Sequence, residues 1–366
     1  MNLPLARPSH VSRPGLSDVD SPGSGSRVNG AEGLGPAAGE MSARELAKSA
    51  GPSRLPSGTA GLIADPIFRA LATACGLAVL AIVGLIIYEL YSHSQLSRSQ
   101  FGFSFFKGTN WDPVAGDFGA LPFIYGTIVS SLVALALAVP AGLGLAIFIT
   151  EMSPKWLKGP LAFTTELLAA IPSVIYGLWA IFVLVPLLRQ YVQPFLAKYL
   201  GWTTVFSGVP YGIGMLAAGV ILAIMIVPVI SSISREVLVT VSQQQREAVL
   251  ALGATRWEMI RIGVLRNARA GISGAIILGL GRALGETMAV TMVIGNRPEI
   301  AKSLFAPGYT MASVIANEFS EASGDLYLSA LIEIGLVLFL LTIVVNIFAR
   351  LLVWTVTRGA PARGHA

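Results

Sequence analysis

Charge is what this 366-residue chain has least of. Asp, Glu, Lys and Arg together make up 12% of it, against 54% hydrophobic residues, and an average soluble domain carries about 25% charged residues. So sparse an ionic surface excludes an ordinary water-soluble domain and points to a bilayer. A single cysteine, Cys75, excludes an internal disulfide; it falls in an apolar run, where a small buried apolar residue is expected. The three histidines, His10, His93 and His365, sit near ends or loops and form no metal-ligand cluster. Nowhere does G-x-x-x-x-G-K-[ST], H-E-x-x-H or G-x-S-x-G occur, and no paired catalytic carboxylates stand out. The chain therefore lacks a phosphate cradle for ATP and the common hydrolytic centres, so neither an ATPase site, a bound cofactor nor an enzyme is expected of it.

What the chain does have is long apolar runs. Six approach the roughly 20 residues needed to cross a hydrocarbon core about 30 Å thick: Ile67 to Tyr91, Leu121 to Thr150, Leu161 to Leu188, Tyr211 to Ser231, Ala270 to Ile294 and Leu326 to Val356. An all-α polytopic membrane protein with six transmembrane helices is the fold class they imply. Pro140, Pro172, Pro186 and Pro228 lie within or near the ends of these runs and predict kinks. Trp111, Trp156, Trp202 and Tyr211 lie near span ends, as interfacial aromatics do.

Residues 1–65 are rich in Gly, Ser, Pro and Ala with no apolar period, which predicts a disordered tail. Six basic residues, Arg7, Arg13, Arg27, Arg44, Lys48 and Arg54, match six acidic ones, Asp18, Asp20, Glu32, Glu40, Glu45 and Asp65. That neutrality speaks against a polybasic lipid anchor. A short helix is expected at Met41–Lys48, and no cleaved signal peptide. The domain layout is then a tail (1–65), a membrane domain (66–357) and a short C-terminal tail (358–366). Arginines at 235, 246, 256, 261, 266 and 269 fill the loop 232–269, and Arg350, Arg358 and Arg363 follow the last run. Lys and Arg favour the cytoplasmic side, so that loop and both termini are placed inside.

The loop itself predicts helix, tight turn, helix. Ser242 with Gln245, and Thr255 with Glu258, each match a capping box, and Gly253 between them suits a left-handed helix end. The first helix, Gln243 to Leu252, would be about 15 Å long and marginal in isolation, so it needs a docking surface. Ala248, Val249, Ala251 and Leu252 offer an apolar face, with Arg246 and Glu247 offering charge to a partner.

Glu247, Ala248, Gly253 and Leu265 resemble the EAA signature of ABC importer permeases, although Val249 replaces the second Ala, and Gly263 and Arg266 stand where Ile and Pro are usual. The run GLGRALGETMAVTMVIGN, Gly279 to Asn296, looks like the PstC-type permeases of phosphate-specific ABC importers, and the resemblance covers roughly Ile67 to Val356. It implies the type I permease fold of ABC importers in a prokaryotic cell membrane. It implies a PstA-type second permease subunit, two PstB-type ATPases that bind ATP and Mg, and a PstS-type phosphate-binding protein outside. Arg246, Glu247, Ala248, Leu252 and Gly253 become ATPase-coupling residues, through which closure of the ATPases would drive alternating access.

Arg282 and Glu286 lie inside an apolar run, spaced i and i+4 and so expected on one helix face. A charge at the centre of a membrane helix costs about 2.5–3.5 kcal/mol. Either the pair locks the bundle, or Arg282 faces the path, where its planar fork suits an oxyanion, and Glu286 positions it; the resemblance favours the path. Thr287, Thr291 and Ser273 suit either a pore lining or helix packing. Glu166 and Glu333, in other apolar runs, are expected to partner polar residues. A permease for molybdate or sulfate, an ATP-independent anion transporter and a structural scaffold are the alternative readings.

Overall fold

The computed structural model describes the backbone of residues 59–357 and the side chains of residues 66–355. The helix expected at Met41–Lys48 and most of the expected tail lie outside the described residues. The chain divides into two compact units between Cys75 and Gly76. Helix α1 (Thr59–His93), which that boundary divides, starts within the last residues assigned to the tail. Its side chains are exposed, Cys75 among them. The burial expected of Cys75 is thus corrected: the residue sits in an apolar helix, and none of the described residues buries it.

The second unit is a helical bundle. After a short helix α2 (Gln95–Phe101) and a two-stranded hairpin, β1 (Trp111–Asp112) with β2 (Asp117–Phe118), come α3 (Leu121–Met152), α4 (Lys155–Ala170), α5 (Ser173–Leu200), α6 (Met215–Val239) and α7 (Gln243–Ala251). A helix over residues 256–285 (α8) follows, then α9 (Met288–Thr291), α10 (Met311–Glu318) and α11 (Asp325–Thr357). Among the described residues, five helices are long and apolar enough to cross a membrane: Pro66–His93, Leu121–Met152, Ser173–Leu200, Met215–Val239 and Asp325–Thr355. The expected fifth run is a broken helix instead, α8 followed by α9.

The expected third run, Leu161 to Leu188, also needs correcting, because it straddles a break. Helix α4 stops at Ala170, Ile171 and Pro172 are extended (ψ 130° and 139°), and α5 begins at Ser173. Pro172 has no N–H to give the Leu168 carbonyl four residues back, and it biases Ile171 away from helical angles. The Tyr176 hydroxyl donates to that carbonyl at 2.8 Å, and the Ile171 amide does so more weakly at 3.4 Å. Pro140 and Pro228 stay inside their helices, and Pro186 lies between two π-helical turns of α5, where the ladder is already loosened.

Helices α3 and α6 pack closely along their length. A side chain at Gly219 would bring its Cβ to 2.4 Å from Val133 Cγ1, so only glycine admits this approach. Buried residues gather in three clusters: a central one around Ile221, Ile226 and Val293, one at the hairpin end around Phe105, Phe123 and Tyr309, and one at the loop end around Leu238, Ile260 and Val264. Trp111 belongs to the second cluster rather than to an interface. It is 9% exposed, meets Phe118 and Phe123 edge-on at 4.8 Å, and donates Nε1–H to Glu318 at 2.8 Å. Trp156, Trp202 and Tyr211 are exposed.

Candidate translocation and coupling sites

Helix α8 ends at Gly285. Glu286 is extended (ψ 128°), Thr287 precedes the single turn α9, and the backbone beyond it is irregular. Protein groups rather than lipid satisfy it, the condition for non-helical backbone at membrane depth. The Glu286 carboxylate accepts from Ala289 N at 3.4 Å, Thr287 Oγ1 donates to the Gly285 carbonyl at 3.2 Å, and Thr291 Oγ1 donates to the Thr287 carbonyl at 2.7 Å. The Val293 carbonyl accepts from Gly214 N, and Ile294 from Gly308 N. Against α5, a Cβ on Gly177 would meet Met292 Sδ at 2.6 Å, so α9 is pressed onto that helix.

This break corrects the expected i, i+4 pair. Arg282 lies in the last turn of α8 and Glu286 beyond its end, so the two no longer share a helix face. No ion pair joins them, and among the described residues Arg282 makes no hydrogen bond. It is exposed, as are Leu278 and Gly285 on either side along α8. Glu286 and Thr287 are half-buried beside it. Ser273 bonds back to the Arg269 carbonyl at 2.8 Å, a helix-internal arrangement.

Of the two other carboxylates in apolar runs, Glu166 accepts from Arg235 at 2.6 Å and buried Glu333 accepts from Ser97 Oγ at 2.5 Å.

At the loop end, α7 is followed by Gly253 with φ +82°, the left-handed conformation expected between the two helices. Thr255 and Glu258 form the expected capping box that starts α8. The bond from the Thr255 amide, then that from its hydroxyl, hold the Glu258 carboxyl below the usual carboxylate range. Ser242 makes no side-chain cap; the Gln245 amide bonds the Ser242 backbone carbonyl at 3.2 Å instead. The second helix is not short, since it runs on through a π-helical stretch, Met259–Leu265, into Arg266–Gly285.

Two expectations about the docking surface change. Arg246 is not free for a partner: its Nε and Nη2 reach Glu151 Oε1 at 3.3 and 3.0 Å, Nη2 also reaches the Leu238 carbonyl at 2.9 Å, and Nη1 the Val241 carbonyl at 2.5 Å. Val249 does not join the outward apolar face, because it lies over Gly263, where an added Cβ would stand 3.3 Å from Val249 Cγ2. Gly263, in place of the usual isoleucine, is what lets α7 lie this close. Glu247, Ala248, Leu252 and Gly253 are exposed, with Leu252 at 88% and Trp257 at 61%. The position of Trp257 as the second residue of α8 was the available signal for this added apolar group.

Residues 138–358 match the family described as the inner membrane component of binding-protein-dependent transport systems. The chain belongs to this family of inner-membrane permeases. Among relatives of the permease, the phosphate transport system permease protein PstC of Mesorhizobium japonicum is 47% identical over 292 residues, 79% of this chain and 89% of that protein. The PstC of Haemophilus influenzae is 45% identical, covering 79% and 93%. A probable PstC of Methanocaldococcus jannaschii is 37% identical, covering 74% and 87%. In fold, the permease is similar to a chain of a bacterial ABC transporter involved in alginate import, with a TM-score of 0.51 and 17% identity over 81% of this chain and 99% of that one.

Proposed function

We propose that this chain is the membrane-spanning permease subunit of an ATP-driven importer of inorganic phosphate, and that Arg282 is where the solute is felt. The observation that carries the placement is an arginine at a helix break, exposed and without a carboxylate partner. A charge in hydrocarbon costs about 2.5–3.5 kcal/mol even on insertion scales, so an aqueous path, which also admits an oxyanion, is the environment that suits it. The guanidinium fork can donate two parallel hydrogen bonds to a phosphate. Glu286, turned away to cap α9, leaves that charge unneutralised, and Thr287 supplies a hydroxyl beside it. Phosphate as the solute is supported by the relatives, named as phosphate transport permeases at 45–47% identity.

The chain carries no nucleotide-binding motif, so ATP and Mg belong to ATPase subunits that dock on the exposed face of α7. A second permease subunit covers the open face of α8, and a binding protein delivers phosphate at the hairpin end. The arginine-rich loop supports an orientation with the α7 end and both termini in the cytoplasm. Import is then alternating access: α7 transmits ATPase closure along α8 to the break, and no chemistry occurs on phosphate.

Arg282→Ala is expected to nearly abolish uptake of labelled phosphate while the variant still co-purifies with its ATPase. Normal uptake by a well-expressed variant would refute the placement of Arg282. Competition by excess molybdate or sulfate in the wild type separates a phosphate path from one for another oxyanion.

A further inference from the structure

At the loop end, the last turn of α3, the start of α4, the end of α6, α7 and the start of α8 enclose a cavity of about 780 Å³. Lys158, Arg235, Arg246 and Arg256 line it, with Trp257 and one carboxylate, Glu151. Glu166, which pairs with Arg235, is outside the lining; counting it still leaves four positive charges against two negative.

These cations differ in what they have left to give. Arg246 is committed to Glu151 and two carbonyls. Lys158 uses one ammonium hydrogen on the Thr150 carbonyl and has two more. Arg235 binds Glu166 through Nη2 alone, and its buried Nε has no partner. Arg256 is exposed and makes no side-chain bond among the described residues. Unspent donors from α4, α6 and α8 thus converge around the Glu151–Arg246 pair that anchors α7.

The cavity meets the docking surface at Trp257 but is distinct from the outward face of α7. At about 100° per residue, α7 presents three faces. Gln245 and Val249 turn to Gly263, Gln243, Arg246 and Leu250 to the cavity, and Gln244, Glu247, Ala248 and Ala251 to the outside.

We infer that this cavity binds a phosphate group on the cytoplasmic side, bridging Lys158, Arg235 and Arg256. Bound there, it ties α4, α6 and α8 together around the anchor of α7 and slows the movement that ATPase closure must impose. The transported solute, accumulating inside, acts as a brake on its own import. The inference rests on the proposed solute and orientation. The same chemistry is offered by a phospholipid headgroup, so the two sources are tested separately.

The assembled importer is placed in vesicles of zwitterionic lipid with ATP inside and labelled phosphate and binding protein outside, and initial uptake is read against internal inorganic phosphate, with chloride as the control. Internal phosphate is expected to slow wild-type uptake several-fold. The Lys158→Ala/Arg256→Ala variant, close to wild type when internal phosphate is absent, should lose that sensitivity. Arg256→Gln alone, a change at an exposed side chain, should lose part of it and serves if the double variant assembles poorly. A parallel arm uses anionic phospholipid without internal phosphate; slowing there that the variants relieve supports the same site with a headgroup as its ligand. Inhibition equal in wild type and variants belongs to the ATPases or the path and overturns the inference, as does insensitivity to both sources. Absence of phosphate import by the wild type fails the transport reading instead.

Discussion

Arg246 meets acceptors from two distant parts of the chain, the Glu151 carboxylate and the carbonyls of Leu238 and Val241, and both members of the ion pair are largely buried, at 14% and 8% exposure. Removing one partner strands the other charge, which costs about 3–5 kcal/mol for a buried pair. Arg246→Ala is therefore expected to lower the melting temperature and to loosen α7, so that phosphate moved per ATP hydrolysed falls while hydrolysis continues. Adding Glu151→Ala should recover part of the melting temperature, since no carboxylate is then left unpaired; a double variant no more stable than the single would contradict the pairing. The sequence marks Arg246 as a loop arginine beside the EAA-like motif, but its carboxylate lies 95 positions away, beyond the reach of local spacing. Arg282 differs: its isolation in an apolar run is visible from the sequence alone, while the loss of its expected partner depends on where the helix ends.

That ending belongs to the scale of elements. An apolar run with no proline reads as one helix, so the break at Glu286 is invisible to periodicity; Gly285 is the local hint. The break at Pro172, by contrast, is written in a residue that lacks a donor, yet apolar length overrode it when the third span was assigned. Gly253 and the Thr255–Glu258 box were legible because their chemistry is local. Ser242 with Gln245 has the same spacing, but its amide bond goes to the backbone carbonyl, and pattern cannot choose between those two oxygens. Gly263 was legible only as a departure from the motif, and its reason is the approach of Val249. Gly263→Val should push α7 off α8 at about 1–3 kcal/mol, the usual range for overpacking. The expected result is a folded permease that retains less ATPase in a pull-down; undiminished retention would show that α7 tolerates the displacement.

For the molecule as a whole, the apolar runs and the arginine-rich loop announce a multi-pass permease, and the comparisons agree. What the runs do not tell is which faces remain uncovered. Helix α1 shows apolar side chains all round from Pro66 onward, and a groove of about 790 Å³ lined by Leu278, Gly281 and Gly285 of α8 and by Phe339 and Asn346 of α11 is open. So much exposed apolar surface suits lipid and a second subunit rather than water. With the sole cysteine replaced (Cys75→Ser), Leu278→Cys should react with a membrane-permeant maleimide when this chain is expressed alone and be protected when the second permease subunit is co-expressed. Equal labelling in both would remove that face from the subunit interface.

The Tyr176 hydroxyl stitches the Pro172 break. Because the stitch is a phenol, Tyr176→Phe subtracts one hydrogen bond and almost no volume, so it alters the stiffness of the bend without altering its shape. Site-directed spin labels on α4 and α5 should report an unchanged mean distance with a broader distribution. The bend then behaves as a spring that one phenol oxygen helps to stiffen.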